Sequence, residues 1–106
     1  MRKVLSILAL SVISVGAYAA EYVWDGGSAS NNNWSTSYNW VGNVTPTSSA
    51  TTEIRFEGAT RLTPQTNSPW TLYKLTCGTT AKSFTLGGST LTIKAGGIDQ
   101  NSSYNQ

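Results

Sequence analysis

The sequence has no histidine, a single cysteine and few charged side chains. Without histidine it has no Ser-His or Cys-His catalytic pair, and it lacks a very common metal ligand. One cysteine excludes an internal disulfide framework. Charged residues make up 11% of the chain, where about 25% is usual for a soluble domain. Serine, threonine, asparagine and glycine instead supply 47 of the 106 residues, a length that allows one small domain.

The first nineteen residues have the pattern of a secretory signal peptide. Arg2 and Lys3 precede an apolar run over residues 4–15, which is shorter than the roughly 20 residues that a membrane-spanning helix needs. Ala17 and Ala19 then form a small-x-small cleavage site. We expect residues 1–19 to be removed and the protein to be exported by a bacterium, to the extracellular space, the cell surface or the outer membrane.

The positive charge of the chain belongs to this leader. The whole sequence has a formal net charge of +2 and a pI of about 8.9. Residues 1–19 contain two of the seven basic residues and none of the five acidic ones, so the remainder is neutral. A neutral chain without a run of Lys or Arg does not indicate a nucleic-acid partner.

Segments of alternating apolar and polar residues follow the leader, and no segment has the apolar spacing of an amphipathic helix. In the second segment Tyr73, Leu75 and Cys77 are expected on one face, with Leu72 and Lys74 on the other. The pattern predicts an all-β protein. The predicted strands cover residues 53–57, 71–77, 82–86 and 90–94.

The last third of the sequence repeats with a period of seven. Phe84, Leu91 and Ile98 are each seven residues apart, and the glycine pairs 87–88 and 96–97 are expected to turn corners. Such short strand units bury their apolar faces by stacking on copies of themselves. We therefore predict the start of a right-handed β-solenoid (β-helix) with three short sides per turn. A small β-sandwich or meander is the alternative.

The predicted organisation has three parts. Residues 1–19 are the leader, residues 20–50 an N-terminal capping block rich in Trp, Asn and Ser, and residues 51–106 the first solenoid coils. A solenoid end needs a cap, because an open edge pairs with other chains. We therefore interpret residues 51–106 as truncated, in the N-terminal part of a longer protein. A small, complete secreted β domain is the alternative.

Tryptophans are concentrated in the capping block, and two interpretations compete for them. Trp24, Trp34 and Trp40 fall within seventeen positions and could fill the end of the coil. Exposed, the same three side chains with Tyr38 and Trp70 could stack on sugar rings. The candidate ligand-stacking residues are therefore Trp24, Trp34, Tyr38 and Trp40, and the candidate partner is an extracellular or cell-surface polysaccharide.

The block and the strands after it resemble a known family. W-D-G-G at residues 24–27, N-N-W-S-T-x-x-N-W at 32–40 and I-x-F-x-G-x-T-R-L-T at 54–63 are similar to the opening of autotransporter-associated β-strand repeat proteins. The resemblance implies a passenger-type β-helix at the surface of a bacterium, with no catalytic residues to transfer. Cys77 stands where an aromatic residue is more usual. Contact with the outer membrane would need a C-terminal region that this sequence lacks.

Other side chains do not indicate catalysis or metal binding. Glu53 and Glu57 are about 13 Å apart on an extended strand, wider than the roughly 5–9.5 Å of a glycosidase pair. Asp25 with its glycines indicates a turn, since the spaced carboxylates of a calcium loop are missing. Cys77 is predicted to be a buried, unreactive thiol.

We expect a non-enzymatic exported scaffold, without cofactor or metal, that has an adhesive role. A secreted carbohydrate-binding module is one alternative. The N-terminal coils of a β-helical polysaccharide-degrading enzyme are another.

Overall fold

A computed structural model describes residues 20–106, and the predicted leader and its cleavage site at Ala17 and Ala19 lie outside them. This part of the chain is all-β, as predicted, with one short 3-10 turn at Ser37–Asn39. Its six strands are β1 (Ala20–Trp24), β2 (Thr52–Phe56), β3 (Gln65–Thr66), β4 (Trp70–Cys77), β5 (Gly87–Gly88) and β6 (Leu91–Gln100).

All of the strand ladders are parallel. One sheet has the order β1-β2-β4-β6, and a second sheet pairs β3 with β5. Asn33 joins the second sheet through a parallel bridge to Gln65. Parallel neighbours need a long connection between them, and here partners such as Ile54 and Leu75 are 21 residues apart. Hairpins would give antiparallel ladders, and no strand ladder within residues 20–106 is of that kind.

The parallel register aligns like positions of successive strands in columns across the sheet. One column contains Tyr22, Ile54, Leu75 and Ile98. Ile54 is fully buried and Leu75 nearly so, whereas Ile98 on the last strand is 62% exposed. A neighbouring column runs from Trp24 through Phe56 and Cys77 to Gln100. The same apolar column is therefore covered in the middle of the sheet and uncovered at β6.

The predicted strand over residues 82–86 does not form. This segment is in no ladder, although Phe84 is buried as expected. Its backbone still bonds to the preceding pass of the chain, because the Lys82 N–H donates to the Gly58 carbonyl at 2.9 Å and the Thr85 N–H to that of Leu62 at 2.8 Å. Two isolated bonds at a corner hold the segment in place without a continuous ladder.

The predicted faces of β4 are also wrong in part. Leu72 is fully buried while Tyr73 is 36% exposed, because the register with β6 shifts between Leu72 and Lys74. Gly96 lies at this irregularity, and a Cβ there would be 2.7 Å from the Tyr73 carbonyl oxygen. The glycine pair 96–97 thus lies inside β6, and the pair 87–88 is strand β5 itself. Neither pair is a corner between strands, and a bulge of this kind leaves no mark in the alternation.

The proposed boundary after residue 50 does not divide the structure into two units. β1 belongs to the same sheet as β2, and one apolar core contains Trp24, Trp34, Ile54 and Phe84 together. Within residues 20–106, no helix is long and apolar enough to cross a membrane.

The isoleucine column gives a matched test of this packing. Ile54→Ala is expected to lower the free energy of unfolding by about 2–5 kcal/mol, because it removes a fully buried side chain. Ile98→Ala should change it by less than about 0.5 kcal/mol, because that side chain is already largely in water. Urea denaturation of both variants at low protein concentration checks this, and equal losses would contradict the burial gradient.

Candidate functional site

The tryptophans form the centre of an aromatic core. Trp40 contacts Trp24 and Trp34 edge to face, with ring centroids 5.2 and 5.7 Å apart, and Trp34 meets Trp70 at 5.3 Å. Phe56 and Phe84 stack below them at 4.9 Å. Edge-to-face packing places the positive rim of one ring against the negative face of the next. The cluster thus joins the capping block to the strands through direct ring contacts.

Of the four candidate ligand-stacking residues, three are inside the protein. Trp24, Trp34 and Trp40 are at most 1% exposed, and Trp70 is 8% exposed. Their ring faces are covered by one another and by Phe56, which leaves no face open to a sugar ring. Tyr38 alone is at the surface, with 62% of its area exposed. The interpretation that the tryptophans fill the end of the coil is the one that the burial supports.

Indole N–H groups in this core differ in their hydrogen bonding. Trp40 Nε1 donates to the Trp34 carbonyl at 2.9 Å, and Trp24 Nε1 donates to the carbonyls of Thr60 and Arg61, each at 3.3 Å. Trp34 Nε1 is buried and has no partner among residues 20–106. Leaving a buried donor unpaired costs about 1–3 kcal/mol.

Asn39 holds the loop of the capping block in shape. It is fully buried, its Oδ1 accepts from the Ser28 N–H at 3.1 Å, and its Nδ2 donates to the carbonyls of Asn31 and Asn33 at 3.2 and 3.0 Å. A buried amide with bonds on both its oxygen and its nitrogen satisfies its polar groups and fixes the loop backbone. From sequence, Asn39 was noted only as a residue that precedes a tryptophan.

Arg61 ties the same loop to the next pass of the chain. Its Nε donates to the Ser28 carbonyl at 2.8 Å and its Nη1 donates to Asn32 Oδ1. Arg61 also has a left-handed backbone, with φ of 51°, which few non-glycine residues adopt. Asp25 closes a small turn of its own, since its Oδ1 accepts from the Gly27 N–H at 2.9 Å. The loop is therefore organised by side chains that bond to its own backbone.

The outward carboxylates of β2 belong to an ion-pair network. Arg55 donates to Glu21 at 3.2 Å and to Glu57 at 3.1 Å, and Glu57 Oε1 also accepts from the Thr80 hydroxyl at 2.6 Å. These bonds raise the pKa of Arg55, with the bond to Glu21 as the largest cause. The Thr80 hydroxyl and Arg55 together lower the pKa of Glu57. A carboxylate held ionised in this way is not suited to donate a proton as a general acid.

Cys77 is buried, as predicted, and it borders a gap in the packing. Burial raises the pKa of its thiol, and the negative charge of Glu57 adds to this effect. Its column carries Trp24 and Phe56 at the preceding levels. Beside the smaller cysteine lies a cavity of about 130 Å³. The cavity is lined by Phe56, Leu75, Cys77, Phe84, Leu86 and Gln106.

Gln106 partly closes this gap with its side-chain amide. Its Oε1 accepts from the Phe84 N–H and its Nε2 donates to the Lys82 carbonyl, both at 2.9 Å. The amide thus stands where the peptide group of a further strand could bond. Nothing in the sequence pattern distinguished Gln106 from the other polar residues near it.

No group of three or more His, Cys, Asp or Glu side chains in residues 20–106 is arranged to hold a metal ion. Comparison of the chain with family models, with curated proteins and with solved structures gave no match.

The two central tryptophans allow a matched test of the indole hydrogen bond. Trp40→Phe should destabilise the protein more than Trp34→Phe, by about 1 kcal/mol or more, because only Trp40 loses a bond and strands a buried carbonyl. Both residues are fully buried, so the loss of ring volume is comparable. Thermal and urea unfolding measure the difference, and a larger loss for Trp34→Phe would refute the assignment.

The Glu57 network predicts a pH-dependent contribution to stability. Because the folded pKa of Glu57 is lowered, its stabilising effect is present above the ordinary glutamate pKa of about 4.3 and is lost as the pH falls through the folded value. Glu57→Gln should therefore lower the free energy of unfolding at pH 7, and the difference from the wild type should vanish in strong acid.

Glu53→Gln is the control, since Glu53 makes no side-chain hydrogen bond or ion pair with residues 20–106. Urea titrations at several pH values make the comparison. A Glu57→Gln deficit that is the same at every pH would contradict the role of its charge.

Proposed function

We propose that this chain is a non-enzymatic, exported β-solenoid scaffold of the bacterial passenger type, which presents a rigid surface with an adhesive role. The observation that supports it best is the parallel stacking of successive passes of the chain. Strands β1, β2, β4 and β6 stack in that order, and each starts one further circuit along the sequence.

A second side of each circuit supports the same interpretation. Asn33, Gln65 and Gly87 align in the second sheet, with 32 and then 22 residues between neighbours. The first sheet has nearly the same offsets, 32 between Ala20 and Thr52 and 21 between Glu53 and Lys74. Two sheets that advance together by one level per circuit are what a solenoid requires. Parallel crossovers are right-handed in almost all proteins, so the proposed solenoid is right-handed.

The distribution of side chains is consistent with display rather than turnover. Aromatic and aliphatic residues fill the interior, and carboxylates such as Glu57 are engaged in ion pairs on the outside. Neutral total charge after residue 19 leaves no strong field to attract a charged substrate. The resemblance to autotransporter-associated repeats and the leader pattern of residues 1–19 are the basis for export and for the surface location.

Carbohydrate binding is the second candidate function, and it now depends on one residue. Tyr38 is the only member of the proposed stacking set with an exposed ring. A flat sugar-binding platform usually needs more than one aromatic face, so this candidate is the weaker of the two. An N-terminal portion of a polysaccharide-degrading β-helix shares the same architecture and would need acidic residues outside this sequence.

Export is tested by expressing the full sequence in a Gram-negative bacterium. The protein should leave the cytoplasm and begin at Ala20, as read by mass spectrometry, because cleavage follows the small-x-small site at Ala17 and Ala19. Ala19→Leu should block cleavage, while the conservative Ala19→Ser should not. An uncleaved cytoplasmic product from the unaltered sequence would contradict the proposal.

Surface binding separates the two candidate functions. Labelled protein should be retained on cells with or without the Tyr38 ring if the scaffold acts through an extended surface. Tyr38→Ala should abolish retention on insoluble polysaccharide if the ring stacks on sugar, with Tyr104→Ala as the control at another exposed tyrosine. Retention of the wild type on neither target would refute both functions.

A further inference from the structure

The two edges of the four-stranded sheet are not equivalent. At β1 the edge that faces away from β2 is covered, because Trp40 bridges Trp24 in antiparallel fashion. The Val41 N–H donates to the Val23 carbonyl at 2.9 Å, and the Asp25 N–H donates to the Asn39 carbonyl at the same distance. The capping block therefore occupies backbone groups that another strand would need at this edge.

The edge at β6 is open. β6 is the last strand in the sheet order, and its ten residues have a strand partner only on the β4 side among residues 20–106. An edge of unpaired N–H and carbonyl groups is a template for another strand. Few features of β6 protect it, since its charged side chains are limited to Lys94 and Asp99 and it contains no proline.

Apolar surface accompanies these open backbone groups. Ile98 is 62% exposed, and Leu91 and Ile93 are only half-buried, although they continue the columns that are buried at β4. The cavity beside Cys77 and Phe84 lies below the same end of the stack. Pairing along β6 would cover both the backbone edge and these side chains.

We propose that β6 is a self-association surface, through which two copies of this chain pair antiparallel about a two-fold axis. Head-to-tail stacking of β6 on the β1 edge of another copy is obstructed by residues 39–41. The free edge of a second copy is its own β6, and an edge that pairs with itself gives a closed dimer rather than a filament. The inference depends on the edges of the sheet and not on export or adhesion.

Charge along β6 agrees with this partner. Lys94 and Asp99 are both exposed and lie in opposite halves of the strand. An antiparallel arrangement brings Lys94 of one copy towards Asp99 of the partner subunit, and two-fold symmetry repeats the pair. A parallel arrangement in register would instead place like charges opposite one another, which is unfavourable.

The test is the oligomeric state of the chain purified after expression of the full sequence. Light scattering and sedimentation over a wide concentration range should show a monomer–dimer equilibrium. Ile98→Lys should weaken dimerisation at least tenfold, because it places a charge in the paired apolar column. Val44→Lys is the matched control, since Val44 is similarly exposed (55%) but lies on the capping block, and it should dimerise like the wild type.

Two further variants keep the test decisive if Ile98→Lys fails to fold. Lys94→Glu should also weaken the dimer, and Val41→Pro should produce larger assemblies, because proline removes the N–H that bonds to Val23 and helps to uncover the β1 edge. A wild type that is monomeric at every concentration would overturn the proposal. So would filaments formed by the wild type, or a Lys94→Glu variant that dimerises as tightly as the wild type.

Discussion

Parallel backbone pairing between distant passes of the chain is the constraint on which the rest of this structure depends. Each strand meets a partner 21 or more residues away, so no strand is stabilised by its immediate neighbour in sequence. The ladders fix the register, and the register in turn stacks Ile54 on Leu75 and Trp24 on Phe56. Core, corners and surface ion pairs all follow from that alignment, because a slip of one residue would turn each apolar column to the outside.

Aromatic packing solves a problem that the ladders leave open at the first level. A parallel sheet of short strands has an end where its apolar columns would meet water. Trp34 and Trp40, delivered by a long loop, fill that space, and Asn39 and Arg61 hold the loop by bonds to its backbone. The other end is closed less completely, with Cys77 in an aromatic column and the Gln106 amide beside it. The asymmetry of the molecule is thus an asymmetry of side-chain volume and backbone pairing.

The sequence predicted the all-β class and the strands near β2 and β4, because alternation there is regular and rich in β-branched and aromatic residues. It did not predict the exchange of faces at Leu72 and Tyr73, since a one-residue irregularity leaves composition and spacing almost unchanged. The strand expected at residues 82–86 has the right pattern but is placed at a corner by the pass below it. For Trp24, Trp34 and Trp40, filling a core and stacking on a ligand call for the same residue type, so only three-dimensional packing could separate the two. Gln106 acts through contacts with Lys82 and Phe84 that no local pattern encodes.

The unequal spacing of the first circuit has a consequence for how this chain can vary. Between Ala20 and Thr52 the partners are 32 residues apart, but between Glu53 and Lys74 they are 21 apart, and yet both pairs lie in the same continuous sheet. The ladder therefore registers where a strand returns and not how long the excursion was. Extra length is stored in the loop at the first level, outside the sheet, where it has been folded into a tryptophan-lined plug. The protein tolerates growth sideways at this level while keeping its axial repeat, which is how a simple stacked frame can acquire individual surface features without being rebuilt.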